Sequence, residues 1–215
     1  MDKRPNRGHS LVSAKLFIEG GSKGADSKES QIRCREGFRK LLEKCGFKRP
    51  RLPGLIACGS RNGAFKDFKK AHLNRSKRDF IAMWIDSEDP LQDINATWQH
   101  LKVRDPSWHR PLAAQDEQVL FMTTCMETPI VADHAALREH YGSALQESAL
   151  PPLVDLEKRD RHDIQAKLLH ATHTCTNAYR KGDRSFEILA KLNPAALEKL
   201  PSFARTRRIL NEKLK

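Results

Sequence analysis

Asp79-Phe80-Ile81-Ala82-Met83-Trp84-Ile85-Asp86-Ser87-Glu88-Asp89-Pro90 is the stretch on which the fold turns. An apolar run of buried-strand type ends abruptly in a cluster of three carboxylates. A second apolar run, Leu16-Phe17-Ile18, ends in Glu19-Gly20-Gly21. Two such strands, each releasing carboxylates at its C-terminal end, form the usual geometry of a ligand or metal site in an open α/β sheet.

Working outward, Lys15 to Ile18 reads as strand one, and Glu19 to Gly24 as a glycine-rich turn. Asp26 or Ser27 is placed to cap the next helix. That helix carries Cys34, Phe38, Leu41, Leu42 and Cys45 at helical spacing, and Gly46 supplies its stop. Gly54 to Cys58 reads as strand two, and Gly59 to Gly63 as the following turn. Phe65, Phe68 and Leu73 mark a second helix, and Phe80 to Ile85 is strand three. Strand–helix–strand–helix–strand implies a parallel sheet with right-handed crossovers. Residues 86–110 show little periodicity and hold Pro90, Pro106, Trp98 and Trp108, which reads as a long loop or a small insertion. Val119 to Met122 fits a fourth strand, with a helix as the alternative. Asp133 is placed to cap a short helix from Ala135 to Tyr141. After Pro151-Pro152 the chain reads as helical over about 157–172, 184–192 and 194–212, with Asn193 as cap and Pro194 in the first turn of the last. The expected organisation is a flexible basic arm (1–13), an α/β domain (14–150) and a helical C-terminal region packed on it (151–215).

Of 215 residues, 39 are Lys or Arg and 27 are Asp or Glu, a formal charge of +12. A surplus of that size favours a polyanionic partner, most often nucleic acid, although a merely soluble basic protein shows the same balance. Five cysteines occur, an odd number with no CxxC pair, so neither a disulfide framework nor a zinc ribbon is indicated. A reducing, cytoplasmic compartment fits that usage. No signal-peptide core and no 18-residue apolar stretch is found, so no membrane partner is expected.

Glu19, Asp86, Glu88 and Asp89 form the central constellation. Hard divalent ions such as Mg²⁺ take oxygen ligands, and carboxylates converging at neighbouring strand ends supply them. Asp86 and Glu88 project to one side if the chain stays extended there, while Asp89 is free to point into the turn before Pro90. A solvated acidic turn fits the same residues. Arg61 follows strand two on the ligand side of the sheet, where a guanidinium can clamp a phosphate; an ordinary turn residue is the alternative. His170, His173 and Cys175 lack a fourth partner for tetrahedral zinc. The glycine-rich turn lacks the phosphate-loop order of glycine, lysine and serine, so ATP binding is not expected in this chain. The basic C-terminal stretch from Arg205 to Lys215 fits a docked helix better than a nucleic-acid arm.

Ile18-Glu19-Gly20 with Trp84-Ile85-Asp86-Ser87-Glu88-Asp89 resembles a Toprim domain, which places a Glu after its first strand and an Asp-x-Asp pattern after its third. More specifically, the chain resembles a bacterial family of Toprim-related domains of unknown function. They are similar to the nuclease half of overcoming-lysogenisation-defect proteins and often accompany ATPases in phage-defence loci. Ala57 to Asn62, Cys125 to Asp133 and Tyr179 to Gly182 match the same pattern, so the resemblance covers about residues 15–210. Glu88 departs from the wider pattern, which has Asp there. The resemblance implies a Toprim-like fold with Glu19 as general acid/base or metal ligand, and Asp86 and Glu88 as ligands of Mg²⁺ or Mn²⁺. Asp89 and Glu127 are further candidate ligands, and Arg61 and Lys181 candidate contacts to nucleic acid. The implied function is metal-dependent cleavage of DNA or RNA as the effector of an antiviral defence system. The alternatives are a non-catalytic nucleic-acid-binding or regulatory subunit of an ATPase complex, and a phosphohydrolase of small substrates. A partner ATPase and self-association are the protein contacts this reading leaves open.

Overall fold

The computed structural model describes residues 13–21 and 27–215. The basic arm, apart from Ser13, and the candidate cap Asp26 lie outside them. The elements are β1 (Ala14–Ile18), α1 (Ser27–Lys44), β2 (Gly54–Ala57), α2 (Arg61–Leu73), β3 (Phe80–Asp86), α3 (Thr97–Arg104), β4 (Val119–Met122), α4 (Glu127–Ala132), α5 (His134–Tyr141), α6 (Arg161–Thr172), α7 (Asp183–Leu189), α8 (Pro194–Leu197) and α9 (Pro201–Lys213). The four strands form one parallel sheet in the order β2-β1-β3-β4. The chain is thus α/β, with helices flanking the sheet and a helical C-terminal region.

Alternation along the strands sorts the core into two layers. Leu16, Ile18, Ala82, Trp84, Leu120 and Met122 face one side, with buried residues of α1, α4–α7 and α9. Phe17, Ile81, Met83, Ile85, Val119 and Phe121 face the other, against α2 and α3. All seven residues of β3 are buried, as expected of a central parallel strand covered on both faces. The first layer runs from Leu16 to Leu214, so residues on either side of position 150 share one core.

Several local expectations are met. Asp133 caps α5 by accepting from Ala136 N, and Asn193 caps α8 by accepting from Ala195 N; the turn after β2 supplies a further cap, Ser60, which accepts from Gly63 N at the start of α2. Others are corrected. The 86–110 segment is not irregular throughout, because α3 lies within it. Trp98 and Leu101 anchor α3 to the core, and two apolar residues are too few to raise a helical period above the polar background. The helix expected over 194–212 is two helices, α8 and α9. Pro201 has no N–H to carry α8 onward, and it starts α9 instead. Leu73 is exposed rather than a core mark of α2.

The C-terminal helices lie close against α1. A Cβ built on Gly37 of α1 would sit 2.7 Å from the carbonyl oxygen of Phe186 on α7. That neighbour is backbone and cannot swing aside. Gly37→Ala is therefore expected to cost about 1–3 kcal/mol of stability by overpacking. A fall in the urea midpoint at unchanged slope is the expected readout, and an unchanged midpoint would show that α7 does not press on α1 as described.

Candidate functional site

The strand order fixes where a site belongs. From β1 the chain passes outward to β2, then crosses back over β1 to β3, so the winding reverses between β1 and β3. In open parallel sheets the crevice at such a reversal, beyond the carboxyl ends of the strands, is the ligand position. Glu19 follows the last residue of β1 and Asp86 ends β3, so both sit in that crevice.

The ladder itself brings their carboxylates together. Glu19 N–H donates to Trp84 O at 3.0 Å, continuing the β1–β3 pairing by one residue. The next donor on β3 is Asp86 N–H. It donates to the Glu19 side chain, Oε2, at 3.0 Å. On the other flank, Gly59 N–H donates to Gly20 O at 2.9 Å, and Gly20 takes a φ of 139°. The chain leaves the sheet there in a conformation suited to glycine.

Glu88 reaches the cluster by a different route from an extended strand. Its φ is 71°, in the left-handed region, and its N–H donates to Thr124 O at 2.8 Å. Asp86 and Glu88 are therefore not successive same-side residues of one strand; a turn folds Glu88 back. One carboxylate oxygen from each of Glu19, Asp86 and Glu88 lies within 4.8 Å of the others. Asp86 is only 5% exposed, and its Oδ1 is buried without a hydrogen-bond partner among the described residues. A buried carboxylate oxygen left unpaired is costly, and it is the donor a hard cation takes. On this test the three residues fit a divalent ion.

Burial pushes the Asp86 carboxyl well above the usual carboxylate range. The charges of Glu19 and Glu127 add to the rise, while Lys181 and Arg61 oppose it. Burial also raises Glu19, against the hydrogen bond from Asp86 N–H and the charges of Arg61 and Lys181. Both cations lie on the ligand side, but they are used differently. Arg61 is mostly buried and engaged within the fold. Its Nε donates to Asp86 O at 3.0 Å, its Nη1 pairs with Asp105 at 2.5 Å, and its guanidinium lies 4.7 Å from the Trp108 ring centre. It braces the end of β3. Lys181 is exposed and lines a cleft of about 220 Å³ with Glu19, Asp86, Glu127 and Ser185.

Glu127 and Asp89 stand outside the three-carboxylate set. Glu127 is fully buried at the start of α4. Tyr179 Oη donates to its Oε1 at 2.6 Å, and Gln165 Nε2 donates to its Oε2 at 3.1 Å. Ser185 Oγ lies 2.6 Å from the same Tyr179 hydroxyl and accepts from Gly182 N–H. This network ties the Lys181–Gly182 turn to the back of the site. Asp89 is 60% exposed, pairs with Arg104 Nε at 3.0 Å, and lines a separate cleft along α3. Arg104, Asp105, Arg161, Gln165 and Ser185 were not found by reading the sequence. Arg104 and Asp105 end α3, Arg161 and Gln165 lie on α6 and Ser185 on α7, and only the tertiary fold gives these ordinary polar residues their partners at the site.

No family model, curated protein or solved structure matches the chain. No helix among the described residues is long and apolar enough to cross a membrane.

The raised carboxyls set a pH dependence. Asp86 and Glu19 hold their protons to higher pH folded than unfolded, so their contribution to stability is full below the ordinary values of 3.8 and 4.5. It is lost as pH rises through the raised folded values. Asp86→Asn removes the larger share of that loss. Without divalent ions, the stability of the variant relative to the native chain should increase as pH rises from the ordinary carboxylate values through the raised folded ones. Urea unfolding across that range measures it. A flat difference would mean that Asp86 is not held in a desolvated, like-charged setting.

Proposed function

We propose that this chain is a Toprim-like, metal-dependent phosphodiesterase acting on nucleic acid, with Glu19, Asp86 and Glu88 holding Mg²⁺ or Mn²⁺. One observation carries the reading. Asp86, with a buried oxygen that has no partner among the described residues, clusters with two further carboxylates in the crevice where a parallel sheet reverses its winding, in a chain of formal charge +12. An acidic centre on a basic protein suits a polyanionic substrate whose charge is drawn in by the surface.

A divalent ion at such a centre lowers the pKa of a bound water and offsets charge on phosphate oxygens. The chain's own groups do the rest. Asp86 presents a carboxylate with no competing hydrogen bond on Oδ1. Glu19 is held in register by the Asp86 amide, and burial raises its carboxyl above the usual carboxylate range, in the direction that favours proton transfer. Arg61 fixes the Asp86 backbone through its carbonyl. Lys181 lines the open side of the cleft, where a phosphate would enter. Glu127, with both oxygens already hydrogen-bonded, supports Tyr179 and the turn that carries Lys181. The biological role that suits this reading is the effector of an antiviral defence system working beside a partner ATPase.

A second reading, a non-catalytic nucleic-acid-binding or regulatory subunit of an ATPase complex, is favoured by one feature. Glu88 is engaged by Arg161 and Arg104 rather than free for an ion.

The two readings part on one comparison. Native chain, Asp86→Asn and Glu19→Gln are assayed on single-stranded and duplex DNA and on RNA with Mg²⁺ or Mn²⁺. Each is tested alone and with any ATPase encoded beside the gene. The nuclease reading expects cleavage to fall by at least about 100-fold in each variant, with oligonucleotide affinity unchanged or higher. It expects Mn²⁺ to raise the melting temperature of the native chain and not of Asp86→Asn. Absence of metal-dependent cleavage under all these conditions would favour the binding subunit.

A further inference from the structure

The pairing of Glu88 holds more than a structural ion pair. Arg161 is the first residue of α6 and Arg104 the last of α3. Elements far apart in sequence thus bring two guanidiniums to a single carboxylate. Arg161 contacts Glu88 directly, and Arg104 Nη2 lies 3.6 Å from it while its Nε holds Asp89. That carboxylate is within 4.8 Å of the oxygens offered by Glu19 and Asp86. Both guanidiniums are about one-third exposed, with side-chain exposures of 36% and 29%. Glu88 itself is only 17% exposed, so the pairs are partly buried, and only another anion that satisfies both guanidiniums can replace the carboxylate.

A carboxylate and a phosphodiester ask the same of an arginine: one negative charge and two oxygens in a plane that matches the guanidinium fork. Room for a ligand lies directly beside the pair. Arg104 lines a cleft of about 400 Å³ with Asp89, Pro90, His100 and Val103. Glu88 is also the member of the acidic set held by a turn rather than by the sheet, with a φ of 71°.

We propose that Arg104 and Arg161 are the binding site for the substrate's phosphate, and that Glu88 occupies it as an internal stand-in when substrate is absent. Phosphate taking the two guanidiniums frees the Glu88 carboxylate, already within 4.8 Å of those of Glu19 and Asp86, to ligate the ion with them, while the flanking nucleotide enters the cleft along α3. This rests on the reading of the site as one for nucleic acid and a divalent ion. It adds that the two ligands are coupled: each binds more tightly when the other is present, by the same factor. A free protein with Glu88 withheld is a poor metal binder, which restrains cleavage until a strand is in place.

The test uses Mn²⁺ and a non-cleavable phosphorothioate oligonucleotide, with calorimetry for each ligand in the presence and absence of the other. In the native chain, the oligonucleotide is expected to tighten Mn²⁺ binding by at least about fivefold. Arg161→Gln and Arg104→Gln are expected to bind Mn²⁺ more tightly than the native chain without oligonucleotide. They should bind the oligonucleotide about tenfold more weakly and show no coupling. Removing any cation beside an ion site raises its affinity somewhat, so two controls separate that effect. Lys167→Gln, elsewhere on α6, should leave Mn²⁺ affinity unchanged. Combined with Glu88→Gln, Arg161→Gln should no longer improve Mn²⁺ binding, because the carboxylate it released is gone. Equal improvement with and without Glu88 overturns the exchange, as does unchanged oligonucleotide affinity in both arginine variants or failure of the native chain to bind either ligand. Coupled binding without cleavage leaves this inference standing and removes the nuclease reading. Cleavage without coupling does the reverse.

Discussion

The hydrogen bond from the Asp86 amide to the Glu19 carboxylate is the constraint on which the site depends. In a parallel ladder the central strand keeps offering donors to its neighbour. Where β1 turns away at Gly20, the backbone acceptor for Asp86 is lost. The Glu19 side chain replaces it, and the sheet is closed off without an orphan amide. The same bond draws a second carboxylate onto the residue whose own side chain is already buried. Sheet completion and charge crowding are therefore one event, and neither acidic residue can be moved without undoing the other's position.

Each layer of the molecule serves that crowded edge. On one face, Phe65 stacks on Trp108 at 4.3 Å, and Trp108 in turn underlies the Arg61 guanidinium that grips the Asp86 carbonyl. On the other, Phe38 meets Trp84 edge-on at 4.9 Å, two residues before Asp86. The C-terminal helices finish the enclosure. Gln165 on α6, Ser185 on α7 and Tyr179 between them hold Glu127, and α7 lies against Gly37. The region after position 150 is thus part of the site's wall, a closer role than the packed helical region that its sequence suggests.

The strands and their order of appearance were legible because burial on both faces leaves an unbroken apolar run, and nothing else in the chain looks like Phe80 to Ile85. The convergence of Glu19 and Asp86 followed from two such runs ending in acids. The sequence points to Glu88 through the resemblance and through alternation if the chain stays extended after Asp86; a left-handed turn delivers it instead, and a glutamate gives no local signal for that conformation. Arg61 was identified, but its partners Asp105 and Trp108 lie in a segment whose periodicity is too weak to read. Arg161 and Arg104 were invisible because a charge opposite another element is set by packing, not by local pattern. Helix α4 was missed for a similar reason: six residues including Pro129 give no period.

The energetics say why such an edge is more than a way to end a strand. A buried oxygen without a partner costs about 1–3 kcal/mol, and clustered carboxylates add repulsion, against a net stability of about 5–15 kcal/mol for a typical domain. Asparagine at position 86 would keep the shape, and its amide would remove the charge. The fold gains nothing from the acid that this neutral isostere would not supply. The cost is met by the rest of the core and by Arg61 and Lys181, which offset the acids without closing off the Asp86 oxygen. Two further cations pair with Glu88 at the rim of the same cluster. An edge built only for stability would pair its acids fully. This one leaves an oxygen of the buried Asp86 without a partner among the described residues and ties Glu88 to two arginines, the arrangement expected where a cation and a phosphate are to complete the structure together.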